Sequence, residues 1–533
     1  MRQDYIAFNK TGYFSSLICD YLDEKAELES FYNRFPKLEN FKAQIQDKTA
    51  SFPMENRKML VSVLKNQYKS LDASAETNSH IELLNTANTF TITTGHQLNL
   101  FTGPLYFLYK IVSTINLAKT LKAAYPNQDF VPIYWMATED HDFDEINFFN
   151  FKGKKFQWNK AISGAVGELS TEGLDAILNI FSKDLGQTTN AQHIKTFFEN
   201  AYLKHDNLAD ATRFLANELF KDYGLVIVDA NDAALKKLFI PYVETELFNQ
   251  TSFNKVTETN NRLVAVSDAY KIQVNPREIN LFYLEKGIRE RIVFEDDVYK
   301  VLNTTIMFSK NAIQKELLEH PEKFSPNVIM RPLYQEVILP NLCYIGGGGE
   351  LAYWMQLKDY FDAVKVPFPM LLLRNSVLIR TEKQVEKLEK LNITTENLFL
   401  KRASLINKKV RDISNIDIDF SPQKTHLEDQ FKALYELAEQ TDKSFLGAVK
   451  AQELKQLKGL DNLEKRLLKA QKRKLSDEVA RMTAIKNELF PNESLQERNA
   501  NFSEFYLEYG EQLIPNLIEN LEPLKGEFLI LNL

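Results

Sequence analysis

Residues 91–104 place groups that could bind an anion directly after a predicted strand. The β-branched run at 90–94 ends at Gly95, His96 and Gln97, and an amphipathic helix is predicted at 105–125 with Lys110 on its outer face. Glycine lets the backbone approach a ligand closely, and N–H groups ahead of a helix offer positive partial charge to a phosphate or carboxylate. An ordinary strand-to-helix turn with an exposed histidine accounts for the segment equally well, so the segment alone does not identify a site.

Residues 139–145 follow a second predicted strand, at 130–135, and six of these seven residues are ionisable. The cluster includes Glu139, Asp140, His141 and Asp142. Carboxylates on both sides of His141 predict a raised pKa for its imidazole. Such a cluster could capture an amine, remove a proton from it, or bind a divalent metal. Acidic capping of the next helix would explain Asp142 but not His141, so a functional role is favoured.

A third loop contains four consecutive glycines, Gly346, Gly347, Gly348 and Gly349, followed by Glu350. It lies between a predicted strand at 342–345 and a predicted helix, where a flexible linker would have no domains to connect. Bare N–H groups there suit an anionic ligand, and Glu350 could cap the helix or bind an amine. The loop lacks the lysine of a P-loop, and nothing indicates a dinucleotide fingerprint. Ligands of parallel sheets bind at the carboxyl ends of strands, so the three loops together predict an enzyme.

The composition is typical of a globular protein. The chain has 533 residues, 26% charged and 44% hydrophobic, which predicts about two to four domains. Its two cysteines, Cys19 and Cys343, match neither a disulfide framework nor a zinc site, as expected in a reducing compartment. The sequence shows no signal peptide and no run long enough for a membrane span. With a net charge of -7, we expect a cytoplasmic protein with neither membrane nor nucleic acid as a partner.

The periodicity predicts an α/β protein whose parallel-sheet core is interrupted by two insertions. The predicted segments are N-terminal helices with the first part of the core (1–150), a first insertion (151–205), core (206–240), a second insertion of α+β character (241–325) and the rest of the core (326–400). They continue with a polar connector (401–425), a helical arm (426–490) and a C-terminal segment packing on the core (491–533). Core strands are predicted at 224–229, 328–333 and 369–373, and short strands of the second insertion at 270–274, 280–283 and 291–295.

The arm at 426–490 carries apolar residues at intervals of mostly three and four, a pattern typical of a coiled coil. Gly447 and Gly459 are predicted to mark a break between two antiparallel helices, and the narrow apolar seam predicts a homodimer. Its exposed face is rich in lysine and arginine between Lys455 and Lys474. A solvated surface is the simpler explanation of that face.

Several motifs distributed over the chain are similar to those of one family. They are residues 94–97, 101–106, 139–142, 344–354, 489–491 and 495–499, together with Trp135, Asn147, Arg331, Pro332 and Gln335. In these motifs the chain resembles, over its whole length, the bacillithiol biosynthesis cysteine-adding enzyme family. The commoner family form differs at His96, Leu98 and Asn99 and within the glycine run. Because glutamine stands at position 96 in that form, His96 is assigned to binding rather than to proton transfer.

The resemblance implies a fold and a reaction. The expected fold is a Rossmann-like core with two connecting-peptide insertions, like those of class I aminoacyl-tRNA synthetases, and a C-terminal coiled coil that dimerises. The expected reaction joins the carboxylate of cysteine to the amine of glucosaminyl malate. A carboxylate resists attack at neutral pH, so ATP or another nucleotide is expected to activate it, and no metal is assigned.

The predicted site residues follow from the loops and from the resemblance. Asp140 and His141 are the candidate catalytic bases. The predicted substrate-binding residues are Gly95, His96, Gln97, Asn99, Gly103, Glu139, Asp142, Gln335, Gly346, Gly347, Gly348, Gly349, Glu350, Tyr353 and Arg374. Arg374 is expected to hold a malate carboxylate through a bidentate pair. Gln496 and Arg498 are assigned to nucleotide binding by the resemblance.

Two other functions fit the same residues. The acidic cluster could belong to a metal-dependent hydrolase or nucleotidyltransferase. The basic arm could instead belong to a non-enzymatic dimeric scaffold that binds RNA.

Overall fold

The strands form a parallel core sheet and three smaller sheets. The structure, a computed structural model, describes residues 2–533. Its strands are β1 (Arg2–Ala7), β2 (Thr89–His96), β3 (Asp129–Met136), β4 (Phe148–Phe151), β5 (Lys154–Gln157), β6 (Val226–Asp229), β7 (Leu281–Glu285), β8 (Ile288–Glu295), β9 (Val298–Val301), β10 (Met307–Phe308), β11 (Phe324–Pro326), β12 (Asn341–Gly346), β13 (Met370–Leu373), β14 (Val377–Arg380) and β15 (Glu527–Asn532).

Helices precede, separate and follow these strands. Before β12 they are α1 (Phe8–Thr11), α2 (Ser16–Leu22), α3 (Phe41–Ser51), α4 (Met54–Gln67), α5 (Ala75–Leu83), α6 (Tyr106–Ala124), α7 (Phe143–Ile146), α8 (Leu174–Leu185), α9 (Thr189–Phe198), α10 (Leu208–Phe220), α11 (Ala233–Lys237), α12 (Ile240–Asn249), α13 (Thr251–Val266), α14 (Lys310–Glu319) and α15 (Met330–Ile338). After β12 they are α16 (Gly348–Met355), α17 (Lys358–Val364), α18 (Glu382–Lys390), α19 (Thr395–Phe399), α20 (Arg402–Ile413), α21 (Ser421–Glu439), α22 (Lys443–Lys474), α23 (Ser476–Leu489), α24 (Gln496–Asn499), α25 (Phe502–Tyr509) and α26 (Leu513–Asn520).

The core sheet has the order β13-β12-β2-β3-β6, and every neighbouring pair is parallel. This is the doubly wound order of a Rossmann-like fold, in which the direction of winding reverses between the first and fourth core strands, here β2 and β12. The predicted α/β class with a Rossmann-like parallel core is therefore confirmed.

The core strands are buried on both faces, which explains their nearly continuous apolar and β-branched sequences. One buried cluster joins α3, α6 and four of the core strands, and it includes Phe41, Phe90, Leu121, Leu342 and Met370. Helix α6 is buried along most of its length. The prediction that Lys110 lies on an exposed face is wrong, because Lys110 Nζ contacts the Gly95 carbonyl oxygen and the Glu350 carboxylate at the end of the sheet. The C-terminal segment also covers α6: Asn116 Nδ2 donates to the carbonyl oxygens of Ile518 and Leu521 at 2.9 and 2.7 Å.

Two long segments separate the core strands. The first, between β3 and β6, contains the β4–β5 hairpin and helices α7–α10. The second, between β6 and β12, contains an antiparallel sheet of order β10-β9-β8-β7-β11 and helices α11–α15.

Two predicted strands are absent at their expected places. Residues 328–333 enter helix α15 instead, because the Asn327 side chain accepts hydrogen bonds from the N–H groups of Ile329 and Met330 and so begins a helix. Residues 270–274 form no strand. The N–H groups of Gln273 and Val274 donate to the Gln356 side chain, which takes the place of a neighbouring strand.

The described chain divides into two compact units. The first consists mainly of Tyr13–Leu378 and Leu495–Leu531, and the second mainly of Ile379–Ser494. In the second unit, helices α21 and α22 form a hairpin around Phe431, Ala438 and Val449.

The break in this hairpin lies at 440–442, so the prediction of a break at Gly447 or Gly459 is wrong. The Asp442 side chain caps α22 by accepting from the N–H groups of Ser444 and Phe445. A glycine inside a long helix costs only about 1 kcal/mol, and both glycines therefore remain within α22. The predicted polar connector at 401–425 contains helix α20.

None of the helices described between residues 2 and 533 has the length and hydropathy needed to cross a membrane.

Candidate active site at the carboxyl edge of the sheet

A cavity of about 460 Å³ lies at the carboxyl ends of the core strands. Most of its wall is formed by residues at the ends of β2, β3, β6, β12 and β13. The second long segment adds Arg289 and Arg331 to the wall. The structure thus brings the three predicted loops together. The predicted site residues that line the cavity are Gly95, His96, Gln97, Glu139, Asp140, Gly347, Gly348, Gly349, Glu350, Tyr353, Arg374 and Arg498.

The glycine loop turns directly from β12 into α16. The Gly347 N–H donates to Glu350 Oε2 at 2.8 Å, so Glu350 caps its own helix. Capping was one of the two roles predicted for Glu350. An added Cβ at Gly346 would lie 2.9 Å from a ring atom of Tyr344 and 3.0 Å from Glu350, which explains why glycine is needed at the end of the strand. Gly346 therefore packs the turn and does not line the cavity.

Glu350 also joins the glycine loop to the Gly95 loop. Lys110 Nζ pairs with Glu350 Oε2 at 2.7 Å and donates to the Gly95 carbonyl oxygen at 2.6 Å. The hydroxyl of Tyr344 donates to Glu350 Oε1 at 2.7 Å. These contacts cross the point between β2 and β12 where the sheet reverses its winding.

Burial and pairing act in opposite directions on these two charged groups. Burial lowers the pKa of Lys110, and Glu350 offsets only part of this effect. Burial acts to raise the pKa of Glu350, but Lys110, the Gly347 N–H and Tyr344 outweigh it, and the net pKa is lowered. Glu350 is therefore the anion of this pair at neutral pH.

His96 is neutral at any physiological pH. Burial lowers its pKa to about 3, and the nearby Lys110 acts in the same direction. Its Nε2 atom is buried and has no hydrogen-bond partner among the described residues. A neutral imidazole with one free nitrogen on a cavity wall fits the predicted binding role better than proton transfer.

Two predicted acidic residues of the cavity differ in their partners. Glu139 forms an ion pair with the buried Lys236, whose Nζ also donates to the Glu322 carbonyl oxygen at 2.8 Å. Within residues 2–533, no cationic side chain donates a hydrogen bond to Asp140, and Arg289 interacts with it only through space. Asp140 accepts from Gln97 Nε2 at 2.9 Å and from the His141 N–H at 2.7 Å. Glu139 is thus neutralised inside the protein, and Asp140 is the carboxylate available to a ligand.

His141 lies beside the cavity rather than on its wall. Its Nδ1 atom is hydrogen-bonded to Arg289 Nη1, and its ring packs against Phe282. Because arginine can only donate, Nδ1 must accept, and the ring is neutral with its proton on Nε2. The prediction of a raised pKa is wrong: burial and the Arg289 charge lower the pKa of His141 and outweigh Asp140 and Asp142.

Arg374 is committed to contacts within the protein. Its Nη2 donates to Glu497 at 2.8 Å, and its Nη1 donates to the Asn375 carbonyl oxygen and to Ser376 Oγ at 2.9 and 3.2 Å. Only Nε is buried without a partner. The predicted bidentate grip on a ligand carboxylate is therefore not available.

The remaining predicted residues support the site from outside the cavity. Asn99 Nδ2 donates to the Glu145 carbonyl oxygen at 3.2 Å, and Gly103 packs against the Asn99 side chain. Gln335 is fully buried and bonds to Glu336 and Arg331. Gln496 is buried and Asp142 is exposed, and neither lines the cavity.

Four cationic residues at the site were missed by the sequence analysis: Lys110, Lys236, Arg289 and Arg331. The position of Lys110, one turn into the helix that follows Gly95, could have indicated it. Arg331 belongs to a motif of the resemblance but was given no role. Over residues 2–533, no group of three or more His, Cys, Asp or Glu side chains is arranged to hold a metal ion.

Comparisons with known proteins cover the whole chain. The family described as "Bacillithiol biosynthesis BshC, N-terminal Rossmann-like domain" matches residues 1–375, and the "C-terminal coiled-coil domain" of the same description matches residues 377–533. A protein of Flavobacterium johnsoniae is 62% identical to this chain over 100% of this chain and 100% of its own length. A protein of Christiangramia forsetii is 61% identical over 100% of this chain and 99% of its own length. One from Flavobacterium psychrophilum is 59% identical over 100% of this chain and 99% of its own. All three carry the name "Putative cysteine ligase BshC". The chain belongs to the BshC family of bacillithiol biosynthesis.

Proposed function

We propose that this chain is a cysteine ligase of bacillithiol biosynthesis that joins the carboxylate of cysteine to the amino group of glucosaminyl malate. The family and the names of its relatives support the ligase activity. The amine acceptor and the nucleotide that activates the carboxylate are parts of the proposal.

The observation that carries the proposal is the contrast between two kinds of group in one cavity. Asp140 is a carboxylate to which no cationic side chain among residues 2–533 donates a hydrogen bond, and the glycine loop, Arg374 Nε and Arg498 offer hydrogen-bond donors and positive charge. Amide formation needs both kinds, because an amine must lose a proton while negative charge leaves the activated carboxyl group.

Asp140 is the proposed general base. Its carboxylate binds the substrate ammonium group and accepts a proton from it. The free amine attacks the activated carboxyl carbon, the C–N bond forms as the bond to the leaving group breaks, and Asp140 takes up the second amine proton after the first has passed to solvent. Gln97 holds the carboxylate in place through its hydrogen bond. His141 is not assigned this step because its Nδ1 atom is occupied by Arg289.

The residues at the glycine loop fit a nucleotide phosphate. Arg374 Nε is an orphaned buried donor, the Gly348 and Gly349 N–H groups begin helix α16, and Arg498 adds an exposed positive charge. A bound nucleoside triphosphate would supply the group that activates the cysteine carboxylate. These protein groups would orient that phosphate.

The test is incubation of the purified chain with cysteine, glucosaminyl malate and ATP, followed by mass detection of the thiol product. Asp140→Asn should lower kcat about 100-fold, in the range of general-base catalysis. Asp144→Asn is the matched control, because Asp144 is exposed and does not line the cavity. Absence of product from the wild-type chain with ATP and with the other nucleoside triphosphates would refute the proposed reaction.

A further inference from the structure

Arg331 is a mostly buried cation on the cavity wall that has no carboxylate at ion-pair distance among residues 2–533. Its Nη2 donates to the Tyr353 hydroxyl at 3.2 Å, and its Nη1 donates to Gln335 Oε1 at 3.3 Å. Both acceptors are neutral. The guanidinium also lies 5.8 Å from the ring centroids of Trp135 and Tyr344. These four residues hold the orientation of the group, and none of them is a carboxylate.

Other buried cations of this unit either have a carboxylate partner or, like Arg57, donate to main-chain carbonyl oxygens. Lys48 pairs with Glu336 at 3.0 Å, Lys110 with Glu350 at 2.7 Å, and Arg374 with Glu497 at 2.8 Å. A cation removed from water without a counterion is costly, so buried charges in proteins are normally paired. Glu350 of the same cavity raises the pKa of Arg331 through space, but it forms no ion pair with Arg331, because its oxygens already bind Lys110, Tyr344 and the Gly347 N–H.

The space beside the guanidinium is kept open by a glycine. A Cβ added at Gly95 would lie 3.7 Å from Arg331 Nη1 and 3.3 Å from the Tyr344 hydroxyl. Because Gly95 has no side chain, a ligand group can lie against Arg331. A carboxylate matches the planar guanidinium and would supply the missing negative charge.

We infer that Arg331 binds a carboxylate of a substrate and thereby selects carboxylate-bearing ligands, an assignment that rests on the proposed function for the identity of those ligands. Two sources supply this chemistry: the malyl group of glucosaminyl malate and the carboxylate of cysteine. Tyr353 and Gln335 act as positioning residues that orient the guanidinium.

Calorimetric titration separates the two sources. Glucosaminyl malate, its dimethyl ester, cysteine and cysteinamide are each titrated into the wild-type chain and into Arg331→Met and Arg331→Lys. Loss of a charged hydrogen-bonded pair should weaken binding of one carboxylate ligand about 10- to 100-fold in Arg331→Met. The matching ester or amide should bind wild type and Arg331→Met equally weakly. Arg331→Lys should recover only part of the affinity, because an ammonium cannot bind in a bidentate way.

Arg277→Met is the matched control, since Arg277 is exposed and does not line the cavity. Thermal unfolding checks that each variant is folded, so that a loss of affinity in Arg331→Met is not caused by a loss of the fold. If the malyl group is the source, L-malate alone at millimolar concentration should raise the unfolding temperature of wild type but not of Arg331→Met; if cysteine is the source, cysteine should do so instead.

The outcomes separate the site from the reaction. A carboxylate-dependent loss of affinity in Arg331→Met, without turnover by the wild type, would support the anchor and refute the ligase reaction. Turnover by the wild type with unchanged affinity of folded Arg331→Met for every carboxylate ligand would overturn the anchor alone. No stabilisation by L-malate and no binding of any carboxylate ligand to wild type would overturn both.

Discussion

Lys110 and Glu350 show how single residues hold the candidate site together. Each would be a destabilising buried charge alone, and together they connect the Gly95 carbonyl, the Gly347 N–H and the Tyr344 hydroxyl. The position of two loops from distant parts of the chain therefore depends on one ion pair.

Glu350→Gln should destabilise the fold by about 3 kcal/mol, because it leaves the Lys110 ammonium buried without a counterion. Lys110→Met combined with Glu350→Gln should recover most of that loss, since no unpaired charge is left. Both variants should have less activity than wild type, because the ion pair that connects the Gly95 loop to the glycine loop is absent from each. Urea unfolding and product formation are the two measurements. Equal destabilisation by the single and double variants would contradict this account of the pair.

His96 predicts a specific pH dependence of stability. Its pKa is about 3 in the folded protein and 6.5 in its ordinary state. The unfolded chain therefore binds a proton as the pH falls below 6.5, whereas the folded chain does not until about pH 3, and this contribution to stability is lost over that window. His96→Gln should lose less stability than wild type between pH 6.5 and pH 3, as measured by unfolding at several pH values. Parallel curves for the two proteins would show that His96 is not buried as a neutral group.

At the scale of elements, the site depends on the turn between β2 and α6. Gly103 has a φ of 62° and lies against Asn99, where an added Cβ would approach the Asn99 Cβ to 2.5 Å. Asn99 in turn donates to the Glu145 carbonyl oxygen. The turn thus fixes the direction in which α6 leaves the sheet and supports the acidic loop.

Gly103→Ala should destabilise the fold by about 3 kcal/mol, because it combines a positive φ with a steric clash. The matched control is Gly153→Ala: Gly153 also has a positive φ, of 76°, but nothing lies within 4 Å of an added Cβ. The control should cost only about 1 kcal/mol. Similar losses in both variants, by chemical denaturation, would contradict a role for the Asn99 contact.

At the scale of the whole molecule, the helical hairpin leaves large apolar side chains in contact with solvent. Leu437, Leu454 and Leu463 are 51%, 58% and 52% exposed, and the buried cluster of the hairpin is small. An exposed apolar surface of this kind favours association. We expect a homodimer formed through α21 and α22.

Leu437→Glu combined with Leu454→Glu should convert the dimer to a monomer in light-scattering measurements without lowering the helix content. The two introduced glutamate carboxylates would have to be buried without partners in the dimer interface, which disfavours association. Lys450→Glu is the control for added negative charge, because Lys450 is exposed on the same hairpin. A wild-type monomer at micromolar concentration would refute the prediction.

Many of the strands and helices were predicted correctly from patterns over a few neighbouring residues. The β-branched run before Gly95 and the apolar run before the glycines predict strands correctly, and the 3.6-residue periodicity predicts α6 within one residue at each end. The errors at 270–274 and 328–333 have another origin. There, single side chains, Gln356 and Asn327, satisfy the backbone and override the local pattern.

Local patterns were sufficient for the class of sheet and for the edge at which the loops meet, because strand and helix periodicity and the geometry of parallel strands depend on neighbouring residues. They were not sufficient to show which charges are free. Glu139 and Arg374 are neutralised by Lys236 and Glu497, whereas Arg331 has no carboxylate at ion-pair distance in the described part of the chain, residues 2–533. The partners of these groups lie far away in sequence, and the energy of a buried charge depends on what folding places within a few ångströms of it.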